Sequence, residues 1–195
     1  MRLAVLTGLY VAVVVSAQVG TNKIVDVPFT DLTAPGGTFL IGISLSLIEL
    51  AHRTAPTRRE GFVNAQLMVL CGFAGSVLLA AYLAILDALP PEDELFDRLS
   101  GTWRIVLGSL VAFLVSETID NTFGAWLRDR VHDAWRVVAT NAVSVPLDSV
   151  VFLLVAFGSL EFIEGQIVVK YAATVLVGVP LVVLLGRYMR SIPSR

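Results

Sequence analysis

Residues 61–86 read GFVNAQLMVLCGFAGSVLLAAYLAIL, 26 positions in a row without Asp, Glu, Lys or Arg. A run of that length is a membrane-crossing helix by the approximate 20-residue requirement of a bilayer, and it sets the reading of the rest. Five further predominantly apolar runs lie on either side of it: Leu3–Val19, Gly36–Leu50, Trp103 to about Phe123, Val137–Gly158 and Ile167–Leu185. Each is bounded by chain-breaking residues. Asn22 and Lys23 close the first, Pro28 and Pro35 bracket the approach to the second, Pro56 follows it, Pro90-Pro91-Glu92-Asp93-Glu94 separates the third from the fourth, and Gly165 precedes the sixth. Strands are excluded from the spans, because open sheet edges are not tolerated in hydrocarbon and barrel strands alternate polar with apolar residues. The sequence therefore predicts an all-α membrane protein with six transmembrane helices, forming a single domain over residues 1–195.

Composition agrees. The chain is 56% apolar and 15% charged, with a mean hydropathy of +0.80, whereas a soluble domain carries roughly a quarter of its residues charged. A net charge of −2 excludes a basic nucleic-acid platform. The single cysteine, Cys71, excludes a disulfide framework and a cysteine-based metal cluster. His52 and His132 read as members of charged loops without ligand spacing between them, so neither a metal nor another cofactor is expected.

Basic residues set the orientation. With the N-terminus inside, the inner set is Arg2, Arg53, Arg58, Arg59, Arg128, Arg130, Arg136, Arg187, Arg190 and Arg195, and the outer set is Lys23, Arg98, Arg104 and Lys170, together all 14. Both termini are accordingly predicted in the cytoplasm of a multi-pass inner-membrane protein. Arg2, a short apolar stretch and Val15-Ser16-Ala17 also look like a signal peptide with its cleavage site. The expectation is that the segment is retained, because Ala4, Gly8, Ala12 and Ser16 recur every fourth position as a surface for close helix approach.

Of 16 acids, four fall within or at the ends of spans: Glu49, Glu117, Asp120 and Asp148. Each costs on the order of 3 kcal/mol near a helix centre, and on this reading no Lys or Arg lies deep in a span to neutralise them. Glu117, Asp120 and Asn121 share one face of the fourth helix, and Asn141, Ser144 and Asp148, with Phe152 beyond, share one face of the fifth. Two polar stripes can then face one another across a cavity. Glu49 has Arg53 one turn on as a local partner, and Asn64 and Gln66 near the start of the third helix serve equally as end-capping residues. An anionic cavity without a base suits a ligand rich in donors. The adjacent N–H groups of a guanine-like edge match a carboxylate by two parallel hydrogen bonds, and Phe152 offers a stacking face. The same acids also suit a proton or sodium ion.

Thr21-Asn22-Lys23-Ile24, Ser116-Glu117-Thr118-Ile119-Asp120, and the run from Asn141 to Asp148-Ser149-Val150-Val151-Phe152 together resemble the queuosine precursor transporters, also called the vitamin uptake transporter family. The resemblance implies a six-helix inner-membrane importer of 7-cyano-7-deazaguanine or 7-aminomethyl-7-deazaguanine, precursors of a modified tRNA base. It extends to Asn22, Asp120, Asp148 and Ser149. At the end of the second helix the sequence departs from the family pattern, leaving Glu49 as the plausible counterpart. Candidate substrate-binding residues are Asn22, Glu49, Gln66, Glu117, Asp120, Asn121, Asn141, Ser144, Asp148 and Phe152. Expected partners are a small nucleobase-like substrate and the lipid bilayer, with a homo-oligomer or an energy-coupling module as a further class. Secondary transport, facilitation, and service as the substrate-binding membrane subunit of an ATP-driven vitamin importer are the modes weighed. The rival class is an intramembrane enzyme using Asp120 and Asp148 as an aspartyl pair, disfavoured because no nucleophile elbow or zinc-binding helix motif is present. No phosphate-binding loop is present either.

Overall fold

The computed structural model describes residues 2–88 and 102–184. Helices α1 (Arg2–Gly20), α2 (Thr38–Thr54), α3 (Arg58–Asp87), α4 (Thr102–Leu127), α5 (Asp133–Phe157) and α6 (Ile163–Ala173) follow in chain order. The last runs on through a π-helical stretch, Thr174–Gly178, and a further helical turn to residue 184. The run from Pro90 to Arg98 and the basic positions Arg187, Arg190 and Arg195 lie outside the described residues.

Among the described residues, five helices are long and apolar enough to cross a membrane, with candidate spans Leu3–Gly20, Arg58–Leu86, Ile105–Leu127, Trp135–Phe157 and Ile163–Leu184. Length and composition thus single out, among the described residues, five of the six predicted spans, and α2 is the exception. Its 17 residues rise about 25 Å at 1.5 Å each, short of a hydrocarbon core of about 30 Å. Its position explains its composition, because every other helix packs against α2 and all positions from Ser44 to Arg53 are buried. A helix surrounded by protein does not need the all-round apolar surface that lipid demands.

A two-stranded antiparallel ribbon, β1 (Ile24–Asp26) and β2 (Thr33–Pro35), joins α1 to α2 with Val25 opposite Ala34. Sequence reading left this stretch without strands. The rule against exposed strand edges applies to lipid, and a connection between helices is free of it. At the start of α3, Thr57 accepts a hydrogen bond from the Glu60 backbone N–H at 3.2 Å, half of a capping box placed just after Pro56. Several boundaries move outward from the sequence reading, among them the start of α5 at Asp133 rather than Val137 and the start of α6 at Ile163 rather than Ile167. The polar first turns do not register in a count of apolar residues. Pro146 lies inside α5, which continues through it.

The core is built from Leu6, Tyr10 and Val14 of α1, Leu47 and Ile48 of α2, Met68 and Val69 of α3, and Phe113 of α4. The small-residue stripe takes no part in packing α1 within this bundle. Ala4, Gly8, Ala12 and Ser16 are exposed on the opposite side of α1, and a Cβ at Gly8 would meet nothing within 4 Å. Small residues do their packing elsewhere, between α2 and α6. There a Cβ at Gly42 would come within 2.7 Å of Ala173 Cβ and 2.9 Å of the Lys170 carbonyl oxygen.

Candidate functional site

Antiparallel α4 and α5 bring their polar stripes into register. Ser116 Oγ donates to Asp148 Oδ1 at 3.0 Å, and one turn further Ser144 Oγ donates to Asp120 Oδ1 at 3.0 Å. The stripes predicted to face each other across a cavity therefore meet directly, each hydroxyl satisfying an acid of the facing helix. The cavity lies at one end of them. It is a cleft with about 320 Å³ of space unoccupied by atoms, part of it open to solvent, lined by Thr21 at the end of α1, Thr38 and Ile41 of α2, Ser109 and Phe113 of α4, Asp148 and Phe152 of α5, and Gln166 and Lys170 of α6.

Lys170 changes the electrostatics expected of this cleft. Its Nζ donates to Asp148 Oδ2 at 2.5 Å, to Ser149 Oγ at 2.9 Å and to Gln166 Oε1 at 2.9 Å. The side chain is 2% exposed. The cavity read from sequence as anionic and base-free instead has a neutralised wall. The error came from the start of α6: counted from Ile167, Lys170 falls in the first turn at the outer end of the span and was grouped with the outer charges, whereas from Ile163 it is two turns into the helix and level with Asp148.

Deeper in the bundle, Ser44 Oγ of α2 donates to Glu117 Oε1 at 3.1 Å, and the Tyr10 side chain of α1 faces the same carboxyl. Next comes Asp120 with Ser144. Beyond it Arg136 of α5 donates to the Glu49 carboxylate of α2, both side chains being no more than 1% exposed. Gly124 lies against this pair, where a larger residue would strike Glu49 Oε1. Arg136, a partner of Glu49, is 87 positions away in sequence, where local spacing gives no sign of it. His52 is fully buried in α2 rather than set in a charged loop. The Arg128 guanidinium closes this end of the bundle by donating to the carbonyls of Ala55 and Thr57 at 2.5 Å each.

Of the ten candidates, Asp148 and Phe152 line the cleft, and Glu117, Asp120, Ser144 and Glu49 form the layers beneath it. The others stand apart. Asn121 donates to Gln66 Oε1 at 2.8 Å, joining α4 to α3. Asn141 donates to Thr174 Oγ1 at 2.6 Å, joining α5 to the π-helical stretch. Asn22 is exposed and donates to the Val19 carbonyl at 3.0 Å, closing the end of α1. Sequence reading did not select Lys170, Gln166 or Phe113. The available signal was Gln166 and Lys170 four apart on one helical face, the lysine leading directly into an apolar run.

The arrangement sets an ammonium, a carboxylate and a primary amide beside two phenyl rings, Phe113 and Phe152. It is suited to a flat ligand that carries donors and acceptors on one edge. A family model described as "Putative vitamin uptake transporter" matches residues 35–185, which cover all of the cleft except Thr21. No curated protein and no solved structure matches the chain.

Proposed function

The chain belongs to the vitamin uptake transporter family, and from that premise we propose that it imports a queuosine precursor, 7-cyano-7-deazaguanine or 7-aminomethyl-7-deazaguanine, across an inner membrane. In this reading α2 supplies the sixth crossing, its short length compensated by the protein around it. Both termini face the cytoplasm, as the distribution of basic residues requires. The cleft, formed where α1 ends and where α2, α4 and α6 begin, then opens to the outside.

One observation carries the substrate assignment: the Asp148–Lys170 pair in a cleft that also holds Phe113 and Phe152. A deazaguanine edge offers two neighbouring N–H donors and a carbonyl oxygen. The donors suit the Asp148 carboxylate, the oxygen suits Lys170 or the Gln166 amide, and the bicycle suits the phenyl faces. Glu117, Asp120 and Ser144 lie below this set and Asn22 outside it. An aspartyl dyad finds no support, since Asp148 is bound by Lys170 and Asp120 by Ser144. Membership of a transporter family likewise favours transport over catalysis.

The test is rescue. Cells unable to make the precursor, supplied with it in the medium, are expected to recover the modified tRNA base when they express this protein and to lose recovery with Asp148→Asn. Recovery that survives Asp148→Asn combined with Lys170→Met would remove the cleft from the reading. The exposed stripe Ala4, Gly8, Ala12 and Ser16 favours a second reading, in which α1 docks on an ATP-driven module and this chain is the substrate-binding membrane subunit. The two differ in whether uptake follows the ATP pool or an ion gradient.

A further inference from the structure

One face of α4 is polar from the cleft to the opposite end of the bundle. Ser109 and Phe113 line the cleft, Ser116 holds Asp148, Glu117 holds Ser44, Asp120 holds Ser144, and Gly124 meets Glu49. Midway along it the Tyr10 hydroxyl faces Glu117 and Thr140 faces Asp120, yet Tyr10 Oη, Glu117 Oε2 and Asp120 Oδ2 are buried without a well-formed hydrogen bond among the described residues. All three residues are at most 1% exposed, and Tyr10 is directed from α1 toward Glu117. The nearby buried bases are engaged, Lys170 by Asp148 and Arg136 by Glu49. Two carboxyls one helical turn apart in a dry interior, each with one oxygen lacking a well-formed hydrogen bond, are a costly arrangement when both are ionised and a favourable one when a proton is held there.

We propose that Glu117 and Asp120 form a proton-binding site, and that a proton entering from the cleft, held on a free oxygen of this pair and released on the cytoplasmic side, drives substrate inward. This rests on the transport reading above. A proton fits better than a metal cation, because no group of three or more His, Cys, Asp or Glu among the described residues is arranged to hold one. The groups facing the site are identified from every helix around it. Glu117 meets Ser44 of α2 and Tyr10 of α1, with Asp120 and Asp148 acting on it from farther away. Asp120 meets Ser144 and Thr140 of α5, in the fields of Glu49 and Arg136.

The experiment has two arms on the purified full chain. Infrared difference spectra across a pH titration are expected to show a protonated-carboxyl band that Glu117→Gln or Asp120→Asn removes; no such band in the wild type would overturn the proposal without any transport measurement. In proteoliposomes, 7-cyano-7-deazaguanine is expected to accumulate when the interior is made alkaline, and also to exchange with preloaded substrate when no gradient is imposed. Glu117→Gln is expected to abolish accumulation while exchange remains measurable, which also shows that the variant is folded. Asp120→Asn serves as the second variant if Glu117→Gln yields no folded protein. Undiminished accumulation in both variants would overturn the coupling and leave the transport reading standing. Absence of exchange in the wild type would overturn the transport reading and the coupling with it.

Discussion

Lys170 is the residue on which the site's chemistry turns. It sits 22 positions from Asp148 in sequence and within hydrogen-bond distance of it in space. Removing one member of a buried ion pair leaves the other charged and unsolvated, at a cost of about 3–5 kcal/mol. Lys170→Met should therefore lower the thermal unfolding temperature of the detergent-solubilised protein markedly. The double variant Lys170→Met/Asp148→Asn should recover most of the loss, as a double-mutant cycle would show. Equal destabilisation of single and double variants would mean that the lysine acts by packing alone. The acid of this pair was legible in the sequence, because a carboxylate in an apolar run has no neutral explanation. Its partner was not, since pairing across helices is fixed by the relative depth of two elements, and a four-residue error at the start of α6 placed the lysine in the wrong layer. Arg136 was hidden in the same way: counted as a loop cation, it lies in the first turn of α5, where it reaches Glu49.

Among the elements, the long helices were legible, because runs such as 61–86 leave no alternative, and α2 was the least so. Its enclosure by the other five is a tertiary property, and a helix with protein on all sides can carry Ser44, Ser46, Glu49 and His52 that a lipid-facing helix cannot. The same limit applied to α1, where a four-residue spacing of small side chains signals a surface capable of close approach but not what approaches it. Substitutions at two glycines separate these cases. Gly42→Leu must force α2 away from α6, because a Cβ added there would lie 2.7 Å from Ala173 Cβ, and overpacking of this kind costs roughly 1–3 kcal/mol. Gly8→Leu enters open space and should change stability by no more than about 0.5 kcal/mol. Comparing the two variants by thermal unfolding and by size-exclusion profile checks both. A normally folded Gly8→Leu protein that has lost uptake would place a partner on the outward face of α1.

At the scale of the whole molecule, polarity is layered along the bundle rather than pooled in one chamber. The cleft with Asp148 and Lys170 occupies one half, the Glu117–Asp120 layer the middle, and the Glu49–Arg136 pair with the Arg128 clamp the other half. α2 touches each layer in turn through Thr38, Ser44 and Glu49. The neutralised wall of the cleft has an electrical consequence. Because Lys170 cancels Asp148, the binding surface can change its exposure from one side to the other without carrying net charge through the field; 7-cyano-7-deazaguanine is neutral and adds none, whereas the ammonium of 7-aminomethyl-7-deazaguanine adds one. On the proposed coupling the proton is then the sole charge moved with the cyano substrate, which makes that cycle electrogenic. One charge is worth about 2.3 kcal/mol per 100 mV, close to a 50-fold accumulation. A potassium diffusion potential, negative inside and imposed without a pH difference, should therefore drive uptake by the wild type, whereas Glu117→Gln should no longer respond to voltage.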